Sequence, residues 1–153
     1  MMVLSRSLKS VIQGVAIVAV LFSAMGLAAA ESEPEWLFVH TADVAEIRDG
    51  SLLAVPMGRD VFAFTDRPYR EHRYLNAHEF VALWDGGKNS FHDDPPNAVM
   101  TWMADGEVVE AEVELVNAVV ADYGRRIIYE FELLSDTTVP ETMHHVSLFV
   151  DMR

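Results

Sequence analysis

Most of the chain alternates apolar with polar residues, and a period of two is typical of half-buried β-strands. The alternation is strictest over 110–115, Glu-Ala-Glu-Val-Glu-Leu, which places three carboxylates on one face of a strand and three apolar side chains on the other. Asp122-Tyr123-Gly124 predicts a turn, after which the chain should run back as a second strand over 126–134. If the turn centres on Tyr123, paired positions sum to about 246, and Glu114 lies opposite Glu132.

The returning strand should form an outward acidic face together with the first one. Its inward residues are predicted to be Ile127, Tyr129, Phe131 and Leu133, and its outward residues Glu130 and Glu132. We expect this face to be exposed and solvated. The alternative is that an arginine-rich partner or divalent ions bridge its carboxylates.

Further strands are predicted at 36–40, 61–65, 98–104 and 147–150, with Asp49-Gly50 and Asp105-Gly106 as hairpin signals. One segment has a helical period instead, because Asn76 and Glu79 have the spacing of a reciprocal cap before a helix at about 77–84. Asp85-Gly86-Gly87 should end it. The pattern predicts a mainly β fold, a single antiparallel β-sandwich or partly open barrel with one short helix.

The first thirty residues have the pattern of a secretory signal peptide. Arg6 and Lys9 precede an apolar run over 11–27, and Ala28-Ala29-Ala30 is a small-residue cleavage site. We therefore expect a signal peptide at 1–30 and a single β-rich domain at 31–153, secreted or periplasmic. An uncleaved membrane anchor is the alternative, because about seventeen apolar residues approach the lower limit for a spanning helix. The chain has no cysteine, so export brings no disulfide.

The charge of the chain narrows the range of partners. Its formal net charge is −13, and removal of Arg6 and Lys9 makes the mature chain more acidic still. This excludes nucleic acid, because phosphate binding needs a basic surface, and it disfavours an anionic membrane after cleavage. An unknown protein or small ligand remains as the expected partner. The acidity suits a solvated surface in salty surroundings, and a cation-binding face is the alternative.

Two proline-stiffened segments, 66–70 and 90–97, concentrate the polar residues. We expect Arg67 or Arg70 to pair with Asp94 or its neighbour Asp93 and so latch the two segments across the helix between them. An anion-binding role for the arginines is the alternative. The predicted structural or binding polar cluster therefore comprises Asp66, Arg67, Arg70, Asp94 and Asn97.

The segment 90–97 could instead hold a metal ion, with His92, Asp93 and Asp94 as ligands. Adjacent residues seldom converge on one ion, so zinc would need help from His72, His78, His144 or His145. Calcium would use the two aspartates and Asn97, although the regular calcium loop is absent. The expectation is no cofactor, with calcium or zinc as the alternative.

Phe64-Thr65-Asp66-Arg67-Pro68, Phe80 and Trp84, and Ser90-Phe91 with Asp94-Pro95-Pro96-Asn97-Ala98 carry a family resemblance. Through its "FTDRP" and "DPPNA" blocks the chain resembles a family of small exported bacterial proteins known only as uncharacterised. The resemblance spans about 36–151. It implies a single exported β-rich domain and no particular activity.

The sequence gives little support for a catalytic site, because its candidate residues lack the spacing of known catalytic motifs. No Gly-x-Ser-x-Gly elbow is present, and Asp93 and Asp94 are adjacent, whereas glycosidase carboxylates face each other across a cleft. Trp36, Trp84 and Trp102 lie at positions expected in a core. The sequence therefore favours an exported non-enzymatic β-domain that acts in binding or assembly through an exposed surface. The alternative is a divalent-metal-binding module or metal-dependent hydrolase centred on 90–97.

Overall fold

A computed structural model of the chain describes residues 32–152, so the signal peptide predicted at 1–30 lies outside the described residues. The mainly β architecture predicted from the alternation is confirmed. In chain order the strands are β1 (Trp36–Arg48), β2 (Leu52–Pro56), β3 (Val61–Thr65), β4 (His72–Leu75), β5 (Asn97–Ala104), β6 (Glu107–Ala121), β7 (Arg126–Leu133) and β8 (Thr142–Asp151).

The strands form one antiparallel sheet in the order β2-β7-β6-β5-β8-β1-β3-β4. The sheet closes on itself because β1 also pairs with β2, which makes a six-stranded barrel. The long strand β1 is shared between two partners: its first residues, 36–39, pair with β3, and its last, 46–48, pair with β2. As a result, β3 and β4 extend the sheet beyond the barrel.

Both predicted two-residue hairpin signals mark turns in the structure. Asp49 and Gly50 have φ of 52° and 76°, and together with Ser51 they connect β1 to β2. Asp105 and Gly106 have φ of 52° and 81°, and Ala104 pairs with Glu107 across them. Glycine and aspartate tolerate these left-handed conformations better than other residues, so these dipeptides terminate the strands.

The helix begins as the sequence predicts. Asn76 accepts a hydrogen bond from the Glu79 backbone N–H through its side chain, and the Glu79 carboxylate accepts one from the Asn76 backbone N–H. This reciprocal cap starts α1 (Ala77–Val81), and a single 3-10 turn at Ala82–Trp84 continues it. The helix contacts β4, β6 and β7, and its Phe80 ring lies 5.3 Å from Phe38 and 6.5 Å from Tyr129 between ring centroids.

The register predicted for β6 and β7 is confirmed. Glu114 lies opposite Glu132, and Leu115 lies opposite Phe131. The register then shifts by one residue between Leu115 and Asn117, which marks a β-bulge. Ile127, Tyr129 and Phe131 are buried, as predicted for inward residues. Leu133 lies on the same face, opposite Val113, but is 44% exposed near the end of the strand.

The sequence missed or shortened three elements. Strand β4 was not predicted, β1 continues eight residues beyond the predicted segment 36–40, and β8 begins five residues before the predicted 147. Short strands and bulges interrupt the period of two, which explains these errors. Trp84 and Trp102 are buried as expected, whereas Trp36 lies at the margin of the core.

Among residues 32–152, no helix has the length and apolar character needed to cross a membrane.

Candidate binding surface

The outer side of β8, β1, β3 and β4 carries apolar side chains that face away from the core. One row runs across these four strands, with Phe149 opposite Val39, Val39 opposite Phe62 and Phe62 opposite Tyr74. A second row places Leu37 opposite Phe64. The inward residues between them, such as Phe38, Ala63 and Val150, are buried. We call the outward set the aromatic face; it consists of Leu37, Val39, Phe62, Phe64, Tyr74 and Phe149.

The rings of the aromatic face pack on one another. The Phe62 ring centroid lies 5.6 Å from that of Phe64, with the ring planes 24° apart, and 5.2 Å from that of Tyr74. The face is partly open to solvent: Tyr74 and Phe149, at the two ends of the first row, are 62% and 45% exposed, and the other four residues are half-buried. Antiparallel sheets with one solvated face normally show polar residues there, and contiguous exposed apolar patches mark interaction sites.

The outer side of β6 and β7 has the opposite character. Glu110, Glu112 and Glu114 project from β6, and Glu130 and Glu132 project from β7. Four of these five residues are exposed, and Glu114 is half-buried. This set, which we call the acidic face, is the exposed carboxylate surface predicted from the alternation.

The predicted polar cluster at 66–70 forms the turn between β3 and β4. The Arg70 backbone N–H donates to the Asp66 carbonyl at 3.1 Å, and the Glu71 N–H donates to the Thr65 hydroxyl at 2.9 Å. The side chains of Asp66, Arg67 and Arg70 are exposed. Local backbone hydrogen bonds therefore shape this turn.

The predicted ion pair between Arg67 or Arg70 and Asp94 is not formed. Among residues 32–152, neither arginine has a carboxylate partner. Both segments lie at the same end of the sheet, but β8 and β1 separate β5 from β3. Three strand spacings are about 14 Å, which is too far for a salt bridge. A ligand-binding role for these residues stays a prediction.

Segment 90–97 is a packed turn whose acidic residues face solvent. The Ser90 carbonyl accepts hydrogen bonds from the backbone N–H groups of Asp93 and Asp94, both at 3.1 Å. Phe91 is buried, with its ring 4.8 Å from Trp84 between centroids. Asp93 and Asp94 line a groove of ≈ 530 Å³, whose other acidic lining residues are Glu33, Glu35 and Asp151. The groove therefore surrounds Asp94 with carboxylates, whereas a cation was predicted there from the sequence.

The metal hypothesis finds no converging ligand set in the described part of the chain. His92, Asp93 and Asp94 are all exposed, and no three His, Cys, Asp or Glu side chains in residues 32–152 group so as to hold an ion. Asn97 begins β5 and lies opposite Glu114. His92, Asp93 and Asp94 are consecutive residues of one turn, and their side chains do not converge on one point.

His40 is a buried polar residue that was not predicted from the sequence. It is 1% exposed on the inner side of β1, with Nδ1 2.8 Å from the Tyr129 hydroxyl and Nε2 3.0 Å from the Pro56 carbonyl oxygen. Because a carbonyl only accepts, Nε2 carries the proton, and Nδ1 accepts from Tyr129. The signal available in the sequence was that His40 shares a face with Phe38, two residues earlier.

Burial governs the titration of this pair. Desolvation lowers the pKa of His40 to about 4, although the hydrogen bond to Pro56 acts in the opposite direction. Desolvation also raises the pKa of Tyr129 well above its usual value. Both groups are therefore neutral at pH 7, and their hydrogen bond links β1 to β7 through the interior.

No family model, curated protein or solved structure matches this chain. The resemblance carried by the "FTDRP" and "DPPNA" blocks therefore stays a prediction. The fold and its surfaces are what define the class: a mainly β, single-sheet domain with one acidic and one aromatic outer face.

Proposed function

We propose that the chain is an exported, non-enzymatic β-domain that binds a partner through its aromatic face. Strands β1, β3 and β8 contain the nearly continuous apolar runs Trp36-Leu37-Phe38-Val39, Val61-Phe62-Ala63-Phe64 and Leu148-Phe149-Val150. Such runs are typical of strands covered on both faces. The core covers one face of these strands, and the other carries the exposed ring of Phe149 and the half-buried rings of Phe62 and Phe64. This mismatch is the observation that supports a binding role.

The chemistry of the face suits a protein or another ligand with an apolar contact surface. Aromatic side chains are enriched at the centres of protein interfaces because they bury a large area with few rotatable bonds. The rings of Phe62, Phe64 and Tyr74 already pack together, so binding would order few additional side chains. Export to the periplasm or exterior is part of the proposal and rests on the predicted signal peptide.

Paired variants of the two outer faces test this function. The purified protein would be immobilised, exposed to an extract of the producing cells and to peptide and glycan arrays, and compared with two double variants. Phe62→Ser with Phe149→Ser alters the aromatic face, and Glu130→Gln with Glu132→Gln alters the acidic face as a matched control.

We expect retained ligands to be lost from the aromatic-face variant and kept by the acidic-face variant. Thermal melting must first show that both variants fold. A ligand that binds equally well to the aromatic-face variant would place the binding surface elsewhere and refute the proposal.

A further inference from the structure

Strand β4 and the first residues of β6 each have a backbone edge that pairs with no other strand. Strand β4 ends the sheet and pairs only with β3. Strand β6 pairs with β5 from Glu107 onward, but its pairing with β7 starts at Val113, so 107–111 have a strand on one side only. Within residues 32–152 no other backbone hydrogen bond covers these stretches. An open edge is a template for another strand.

The direction of the backbone groups on each edge follows from neighbouring hydrogen bonds. The Thr65 N–H donates to the Glu71 carbonyl at 3.0 Å, so the backbone N–H and C=O groups of Glu71 point toward β3. The direction alternates along a strand, and the backbone groups of His72 and Tyr74 therefore point away from β3, toward the open edge. The Leu134 N–H donates to the Glu112 carbonyl at 2.8 Å. By the same alternation, Val108 and Glu110 point their backbone groups toward the open side of β6.

The two edges carry opposite charge. With His72 counted as neutral, Arg70, Glu71 and Arg73 give the β4 edge one net positive charge, whereas Glu107 and Glu110 place two negative charges on the open edge of β6. Arg73 does not obstruct its edge, because its guanidinium lies over the Trp36 ring, 4.5 Å from the centroid. Pairing β4 with β4 or β6 with β6 would oppose like charges, which is unfavourable. Pairing β4 with β6 opposes unlike ones.

Strand directions also favour this pairing. From β6 to β4 the sheet passes through five antiparallel steps, by way of β5, β8, β1 and β3. An odd number of such steps makes β6 and β4 run in opposite directions. When two copies lie side by side in the same orientation, β4 of one is therefore antiparallel to β6 of the next.

We propose that the protein self-associates head to tail, with the β4 edge of one copy adding to the β6 edge of the next. The side chains of His72 and Tyr74, like those of Val108 and Glu110, project from the outer side of the sheet. A register with His72 opposite Glu110 and Tyr74 opposite Val108 joins the outward backbone groups in four hydrogen bonds. It also covers Val108, which is 69% exposed.

The resulting contact is small and heterologous. Contacts of this size form transient complexes, and a heterologous contact that does not close builds an open chain of copies. We expect the weight-average mass in analytical ultracentrifugation to rise with concentration past the dimer. Added salt should reduce it, because the unlike charges are exposed.

Edge-blocked variants provide the decisive test. His72→Pro removes one outward N–H of β4, and Glu110→Pro removes one of β6; edge strands tolerate proline at such positions. Each variant alone should be monomeric, and their equimolar mixture should form a dimer through the two intact edges and grow no further. A wild-type protein that stays monomeric at every concentration, or either variant assembling alone like wild type, would overturn the proposal.

Charge reversal keeps the proposal testable if a proline variant does not fold. His72→Glu and Glu110→Arg should each weaken association about two- to fivefold, and the double variant should restore it. Absence of restoration counts against the register. The aromatic-face variant Phe149→Ser, on β8 and away from both edges, should assemble like wild type, which separates this inference from the proposed binding function.

Discussion

The aromatic and acidic faces are outer surfaces of one sheet, yet one carries large apolar side chains and the other carries carboxylates. On β6 and β7, acidic residues face water while Ala111, Val113 and Ile127 fill the core. On β3, the small residues Val61 and Ala63 are buried, and the large rings of Phe62 and Phe64 lie outside. Phe80 and Trp84 of the helical segment fill the inner side of the sheet, so the rings of Phe62 and Phe64 are not required in the core. The difference shows that residue size and polarity alone do not tell which face of a strand is inner.

The largest expected effect is a difference in the free energy of unfolding lost on replacing an inner or an outer aromatic residue. Phe80→Ala should destabilise the protein by about 3–5 kcal/mol, because its ring is fully buried among other rings. Phe149→Ala should cost about 1 kcal/mol or less, since it loses only cross-strand contacts on the aromatic face. Urea unfolding of both variants measures the contrast. Equal losses would show that the aromatic face is part of the core.

Buried His40 on β1, a strand of the aromatic face, hydrogen-bonds Tyr129 on β7, a strand of the acidic face. Its burial should make the protein acid-sensitive, because desolvation lowers the pKa of His40. His40 titrates near 6.5 when unfolded and near 4 when folded, so below pH 6.5 the unfolded chain binds the extra proton. Stability therefore falls as the pH drops from 6.5 to 4, by about 3 kcal/mol from this group. Urea unfolding at pH 7 and pH 4 should show this loss in wild type and less of it in His40→Gln. Identical losses in both proteins would contradict it.

Tyr129→Phe breaks the same link without adding a charge. The variant leaves His40 Nδ1 buried without a donor, which should cost about 1–3 kcal/mol in urea unfolding at pH 7. Tyr123→Phe is the matched control, because Tyr123 is exposed in the turn after β6. The link has no energetic role if the two variants are equally stable.

The smallest expected effect concerns the acidic face alone. Glu114→Gln removes a like-charge pair with Glu132 and should stabilise the protein by about 0.2–0.5 kcal/mol, less at high salt. Glu110→Gln is the control, because Glu110 lies opposite the uncharged Thr101. Destabilisation by Glu114→Gln would mean that the pair is held by a compensating contact.

Local signals in the sequence predicted much of the fold. The dipeptides of two hairpins, the Asn76–Glu79 cap and the register of Glu114 with Glu132 all depend on residues near each other in the chain, and all were confirmed. The order of strands across the sheet depends on distant residues. For this reason the predicted pairing of Arg67 or Arg70 with Asp94 was wrong, since two strands separate those segments.

The candidate site was less predictable than the fold. An apolar run such as Val61-Phe62-Ala63-Phe64 is consistent with a strand covered on both sides, and the sequence alone does not reveal that one side is open. His40 was missed for a related reason, because its partners Pro56 and Tyr129 are distant in sequence. Only the folded arrangement brings these groups together.

The most direct test of the binding role is site-specific photo-crosslinking in the producing cells. A photoreactive phenylalanine analogue would replace Phe149 on the aromatic face or, as the control, Glu132 on the acidic face. We expect a discrete crosslinked adduct from position 149 and none from position 132. Adducts from position 132 alone, or none from either position, would contradict it.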